Sequence, residues 1–189
     1  PLWGATDSDE SKPKFLTDEQ KKLVYATKSG WVLENGALTG NDNANADPEI
    51  LVAIGELATS IGSADITEIE FISTAFDVSA GGTIQVRARF NEEVDVDTSG
   101  GVPFLAITNG NQGTGSGRGP HNLAYSSGTG TNELVFAITI GAAAGSIAAD
   151  DVLVVGANAI NLNSGTIKDA GTSTNSTITN VEAIGTAGG

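Results

Sequence analysis

From Asp65 onward the chain is written in short β-prone runs separated by clusters of turn residues, and this pattern constrains the fold more than any other feature. The clearest run spans 83–90. Ile84, Val86, Ala88 and Phe90 alternate with Thr83, Gln85, Arg87 and Arg89, the period of a strand with one buried and one wetted face. Asp77-Val78-Ser79-Ala80-Gly81-Gly82 forms the turn before it. Ile66, Glu68 and Glu70 alternate less cleanly. Further strands are predicted over 102–108, 122–126, 133–140, 152–160 and 176–182, with residues 127–131 joining two of them. A polar, Gly-rich loop occupies 109–120. Roughly seven strands at this spacing predict a mainly β chain, an Ig-like antiparallel β-sandwich.

Such a fold must close on aliphatic residues. The chain of 189 residues has no Cys and only six Phe, two Trp and two Tyr. Disulfide frameworks, Cys-type metal sites and a Cys nucleophile are thereby excluded. With His121 as the sole histidine, a His-based zinc site has too few ligands. The formal charge of −14 disfavours a nucleic-acid partner. No apolar run reaches the ~18 residues of a membrane span. The opening Pro1-Leu2-Trp3-Gly4-Ala5-Thr6-Asp7 does not read as a secretory signal. Synthesis in a cytoplasm with removal of an initiator Met is the expectation, and a processed precursor is the alternative.

The charge is unevenly spread. Residues 1–28 hold five lysines (Lys12, Lys14, Lys21, Lys22 and Lys28) against five acids and are neutral. Everything after them holds four cations against 18 acids. Both tryptophans, with Phe15 and Tyr25, fall in the first 31 residues. Two segments of different surface chemistry follow from this: residues 1–63, an anchoring arm with a small helix and strand module, and 64–189, the sandwich with a flexible tail.

Within the first segment, 7–13 reads as an extended polar arm. A helix is predicted from Asp18 to about Thr27. Thr17 caps it, Gln20 completes a capping box, and Gly30 provides the stop. Residues 30–33 predict a short strand. Asp47-Pro48 reads as a helix start that would put Ile50, Ile54, Leu57 and Ile61 on one face, but the β-branched run interrupted by Gly55 favours 49–55 as a strand returning beside 30–33, with a linker over 59–64. A ten-residue helix is marginal alone and has to pack on its own chain or on a partner. Leu2 and Trp3 read either as a loose tip or as an anchor, since Trp is enriched at the energetic centres of interfaces.

Two resemblances enter on particular residues. Phe90-Asn91-Glu92-Glu93-Val94, then Ala124-Tyr125-Ser126-Ser127-Gly128-Thr129-Gly130 with Leu134-Val135-Phe136, then Asn161 to Asp169 resemble, in order, the steps of bacterial Ig-like repeats of large cyanobacterial surface proteins. That resemblance implies a spacer or display module. Pro1-Leu2-Trp3-Gly4, Lys12-Pro13-Lys14-Phe15-Leu16 and Gly30-Trp31-Val32-Leu33 resemble the start of structural virion proteins of contractile-tailed phages that infect marine cyanobacteria. It implies a capsid or other virion-surface protein.

Chemically, the densest acids are Glu92, Glu93, Asp95 and Asp97, with alternation placing the last three on one strand face. Paired carboxylates serve glycoside hydrolysis, but a solvated sheet edge accounts for them more simply. Calcium is the one cofactor with candidate ligands. Asp77, Asp95, Asp97, Asp150, Asp151 and Asp169, with Glu92, offer carboxylates without EF-hand spacing, and a solvated acidic surface is the simpler account. His121 reads as an exposed loop residue, and Arg118 lies among glycines that lack P-loop spacing.

The expectation is therefore a non-enzymatic virion decoration protein on the outer capsid surface. Its partner would be the major capsid protein or another shell protein, with many copies per particle. Leu2, Trp3, Phe15, Leu16, Tyr25 and Trp31 would supply apolar anchors. Lys12, Lys14, Lys21 and Lys22 would steer toward an acidic shell. The rival expectations are a host-surface or glycan-binding module, with or without Ca²⁺, and a tail or neck component.

Overall fold

The computed structural model describes the chain except residues 1–3, 7, 36, 38–42, 44–45, 74, 110–118, 143–144, 149–150, 181–183 and 189. Leu2, Trp3, Arg118 and Asp150 lie outside the described residues.

The chain is mainly β. After a 3-10 turn at Asp9–Ser11 and a helix α1 (Asp18–Lys22) come β1 (Val24–Thr27), β2 (Gly30–Leu33) and β3 (Glu49–Ala53). A second 3-10 turn at Leu57–Thr59 leads to β4 (Ile66–Phe71), β5 (Gly82–Asp97), β6 (Phe104–Thr108) and β7 (His121–Ser127). Then follow β8 (Thr131–Ile140), β9 (Val152–Asn161), β10 (Thr166–Asp169) and β11 (Ile184–Gly188). Hydrogen bonds order the strands β11-β9-β6-β7-β8-β5-β1-β2-β3, with β4 and β10 both pairing β5. The order β4-β5-β8 beside β6-β9-β11 is compatible with the sandwich expected from the sequence.

Two apolar cores sit along this path. The larger gathers residues of β4 to β10 around Ile84, Val86, Phe90, Leu105, Leu134 and Phe136. These are the inward positions that alternation predicts, and the aliphatic burial replaces what disulfides or aromatics would otherwise supply. The smaller core gathers Leu16, Val24, Trp31, Leu33, Leu57 and Ile61.

The helix is half the predicted length. The capping box is present, with the Thr17 side chain accepting from the Gln20 amide and Gln20 Oε1 accepting from the Thr17 amide. After Leu23, however, the chain turns into β1. Val24, Tyr25 and Thr27 are β-branched or aromatic, and they gain more from pairing with β2 than from extending one helical turn. Lys28 and Ser29 make the hairpin, with Val24 opposite Leu33 and Thr27 opposite Gly30. Gly30 is thus not a helix stop. Its φ is +132°, and a Cβ there would lie 2.0 Å from the Val52 carbonyl oxygen, so β3 can approach only a glycine. The expected return of 49–55 beside β2 is found, with Trp31 opposite Val52.

Three other expectations are corrected. Residues 59–64 do not form a free linker, because Ile61 enters the small core and Ala64 the large one. The arm is not extended where it is described. Ser8–Ser11 makes a turn, and Ser11, Lys12 and Pro13 are buried. No strand spans the described residues of 176–182. Thr177 makes only an isolated bridge to Asp65, and the last strand is β11, paired with β9. Asn180 ties this segment to the interior of β9, accepting from the Ala159 amide and donating to the Gly156 carbonyl.

The motifs behind the bacterial Ig-like resemblance are structural devices. Phe90–Val94 spans the register shift at which β5 passes from β8 pairing toward β10. There Asn91 Oδ1 accepts from the Asp65 amide at 2.7 Å, and Ala26 of β1 bridges Glu92 in parallel. The glycines of Ser127–Gly130 close the β7–β8 hairpin. Gly128 has φ +115°, and a Cβ there would meet the Glu133 carbonyl oxygen at 1.9 Å. Asn161 caps the turn before β10 by accepting from the Asn163 amide.

Candidate functional site

The six apolar residues expected to anchor a partner divide sharply. Trp31 is fully buried, and its indole N–H donates to the Gly4 carbonyl at 2.7 Å. Leu16 and Tyr25 are buried as well. Burial pushes the Tyr25 phenol up to about 12, with Glu93, Glu34 and Glu133 adding to the effect, so it stays neutral. These three residues build the small module instead of docking it. Leu2 and Trp3 lie outside the described residues. Of the four that are described, Phe15 alone is exposed, at 75%, in the turn between the buried arm and α1.

The four lysines do come together. Lys12 is almost wholly buried, and its ammonium donates to the Lys21 carbonyl at the end of α1 at 2.8 Å. It ties the arm to the helix and is not a steering charge. One cleft of about 460 Å³ is lined by Lys12, Lys21, Lys22, Thr67 and Asn91, among others. A second of about 420 Å³ is lined by Glu10, Lys12, Lys14 and Lys21. The two share Lys12 and Lys21 and so form one basic surface beside the exposed Lys14 and Phe15. Thr67 was not singled out from the sequence. Its hydroxyl is buried in this wall without a hydrogen-bond partner, and nothing in a lone Thr within a strand run signals that.

Next to this surface, six residues from both segments form an ion-pair lattice. Register sets Glu68 and Glu133 opposite Arg89, and Glu70 opposite Arg87. Arg89 is 7% exposed. It reaches Glu133 and Glu68 at 2.7 Å and Glu70 at 2.8 Å. Glu34, at the end of β2, joins at 3.5 Å and also accepts from Asn132 at 2.9 Å. Arg87 holds Glu70 and Glu133. Burial raises the Glu34 carboxyl above its ordinary value, Glu133 adds to this, and Asn132 and Arg89 oppose it.

The acidic candidates are scattered. Asp77 and Asp97 cap turns, Asp77 accepting from Ser79 and Asp97 from the Ser99 amide, and these bonds hold both below the usual carboxylate range. Glu92 is buried, while Asp95 and Asp97 face solvent. No group of three or more potential metal ligands occurs among the described residues.

His121 is buried, contrary to the loop position expected. It begins β7, and its Nε2 lies 2.8 Å from Asn109 Oδ1. Asn109 donates through Nδ2 to Asp151 Oδ2 at 2.8 Å and to the Ser146 carbonyl at 2.9 Å. The three residues fasten β6, β7 and the segment before β9. Burial pushes His121 below its ordinary 6.5, with Asp151 opposing. The unfolded chain therefore takes up this proton more readily, and stability is lost as pH falls from about 6.5 through the lower folded value. Replacing His121 with Gln is expected to flatten that part of a urea-melt stability curve, and an unchanged slope would rule His121 out as its source.

A scan against protein-family models, a search of curated proteins and a search of solved structures each found no match for this chain.

Proposed function

We propose that this chain is a non-enzymatic structural protein of a phage virion, a decoration protein on the outer capsid surface. In this reading it docks by its N-terminal face on the shell of major capsid protein and displays an acidic, Ig-like β-domain outward in many copies. One observation carries the reading. In a chain of net charge −14, Lys14, Lys21 and Lys22 line adjoining clefts, and Phe15, the most exposed large apolar side chain among the described residues, directly follows Lys14 in the chain. An apolar anchor ringed by steering charge is the anatomy of a protein-binding patch. The resemblance of the N-terminal segment to virion structural proteins agrees with it. On a symmetric shell, weak contacts of this size become effective through lattice spacing and copy number.

The face, and not the whole arm, is the proper target for a test. Deleting residues 1–15 would remove the Gly4 acceptor of Trp31 and the buried Lys12, and would confound docking with unfolding. Phe15→Ala combined with Lys14→Glu touches exposed side chains only. The double variant is expected to keep its melting temperature and to lose at least about tenfold in co-sedimentation affinity for shells, given the usual cost of truncating an aromatic anchor. Undiminished binding would sink the assignment of this face.

A further inference from the structure

We infer that the cleft between α1 and the start of β4 receives a carboxylate side chain from an acidic segment of the protein partner. The inference rests on the docking reading for the identity of the partner and on the cleft itself for the chemistry.

Two kinds of donor converge there. Lys21 and Lys22 supply cations from the last turn of α1. Their present partners on the helix, Asp18 at 3.4 Å and Glu19 at 3.1 Å, are almost wholly solvent-exposed. Exposed pairs of this kind are worth about 0–1 kcal/mol, so either lysine can release its helix partner at little cost, while Lys22 also keeps Glu68 at 3.6 Å. Thr67 supplies the second donor. Its buried hydroxyl makes no hydrogen bond, and a buried polar group left so carries its desolvation cost until an acceptor arrives. A carboxylate oxygen accepts from a hydroxyl and an ammonium together, and an apolar or cationic side chain cannot.

The cleft also sets the number of charges it takes. Asp18 and Asp65 stand in the same wall. They repel a run of acids, so a single carboxylate suits the cleft. Its volume of about 460 Å³ holds a Glu side chain with flanking backbone. Phe15, beyond Lys14, would meet an apolar neighbour on the same partner.

The full chain titrated with the capped peptide acetyl-Gly-Glu-Gly-amide, followed by amide NMR shifts, tests the chemistry. The expected result is saturable shifts centred on Lys21, Lys22 and Thr67, none with acetyl-Gly-Gln-Gly-amide, and an affinity about two- to tenfold weaker for Thr67→Val. Thr67→Val keeps the side-chain shape and so the fold. Lys21→Gln with Lys22→Gln is expected to abolish the shifts. Shifts spread over all the lysines and indifferent to Thr67→Val would overturn the cleft as a site.

Sedimentation equilibrium of the chain alone, with and without the lysine changes, tests the occupant. A monomer is expected. Self-association that the lysine changes abolish would make the occupant a second copy and overturn the proposed partner. Shell binding reads the two proposals apart. Docking that persists while Thr67→Val changes neither assay removes the cleft and leaves the docking reading. Peptide binding without any shell docking does the reverse.

Discussion

Trp31→Ala is expected to cost about 3–5 kcal/mol and to unfold the N-terminal module ahead of the rest of the chain. Among the described residues Trp31 is the largest fully buried side chain, and it belongs to the small core with Leu16, Val24, Leu33, Leu57 and Ile61. Truncation opens a cavity and also leaves the Gly4 carbonyl without the indole N–H it now accepts at 2.7 Å. The large core contains none of these residues. Urea unfolding followed by amide exchange should therefore split into two steps, with the amides of β1 and β2 exposed first and those of β8 protected to higher denaturant. Trp31→Phe fills most of the space and is expected to lose less, chiefly through the missing indole N–H. A single cooperative transition in Trp31→Ala, at the wild-type midpoint, would show that the small core contributes little.

Arg89→Met is expected to cost about 3 kcal/mol at neutral pH, and most of that loss should disappear on acidification. Met keeps an unbranched apolar stem and removes the charge that now faces Glu34, Glu68, Glu70 and Glu133. Breaking a buried pair from one side costs more than the pair is worth, because the other charges remain. The partial exposure of the glutamates reduces the figure toward the lower end of that range. The sign with pH follows from linkage. Without Arg89 the Glu34 carboxyl, already raised by burial and by Glu133, loses a charge that opposes the rise, so the folded state holds more protons than the unfolded one above about pH 4.3. Stability then falls as pH rises through the raised Glu34 value, and recovers as pH drops toward about 4. Urea melts of wild type and variant at pH 7 and pH 4.5 check this. An equal deficit at both values would mean that packing, not charge, is what Arg89 supplies.

The sequence resolves these features unevenly, for physical reasons. Alternation exposes a strand whenever one face is wet and the other dry, so the Ile84 to Phe90 face, the β7–β8 hairpin and the capping box at Thr17 were all legible. The boundary of α1 was not. Val24 to Thr27 continues a plausible helix until its pairing with β2 and β5 is known, and a tertiary partner overrides local propensity there. The anchors were misread for a related reason. An aromatic in a short polar segment looks the same whether it seeks a partner or its own core. Only the fold separates Phe15, which is exposed, from Trp31, which is not. Lys12 shows the same limit for charge, since its ammonium is spent on the Lys21 carbonyl. His121 needed three distant segments to bury it, and no local pattern announces Asn109 and Asp151 as its neighbours. Thr67 and the lattice around Arg89 arise from register between strands, which spacing along one strand does not specify.

The docking face is tested most directly by an image reconstruction of empty shells incubated with the full chain. The account predicts ordered density at symmetric positions, with Phe15, Lys14 and the end of α1 against the shell, and with Asp95 and Asp97 in solvent. Shells without added density, or density that contacts the shell through the acidic end of β5 while Phe15 faces water, would contradict it.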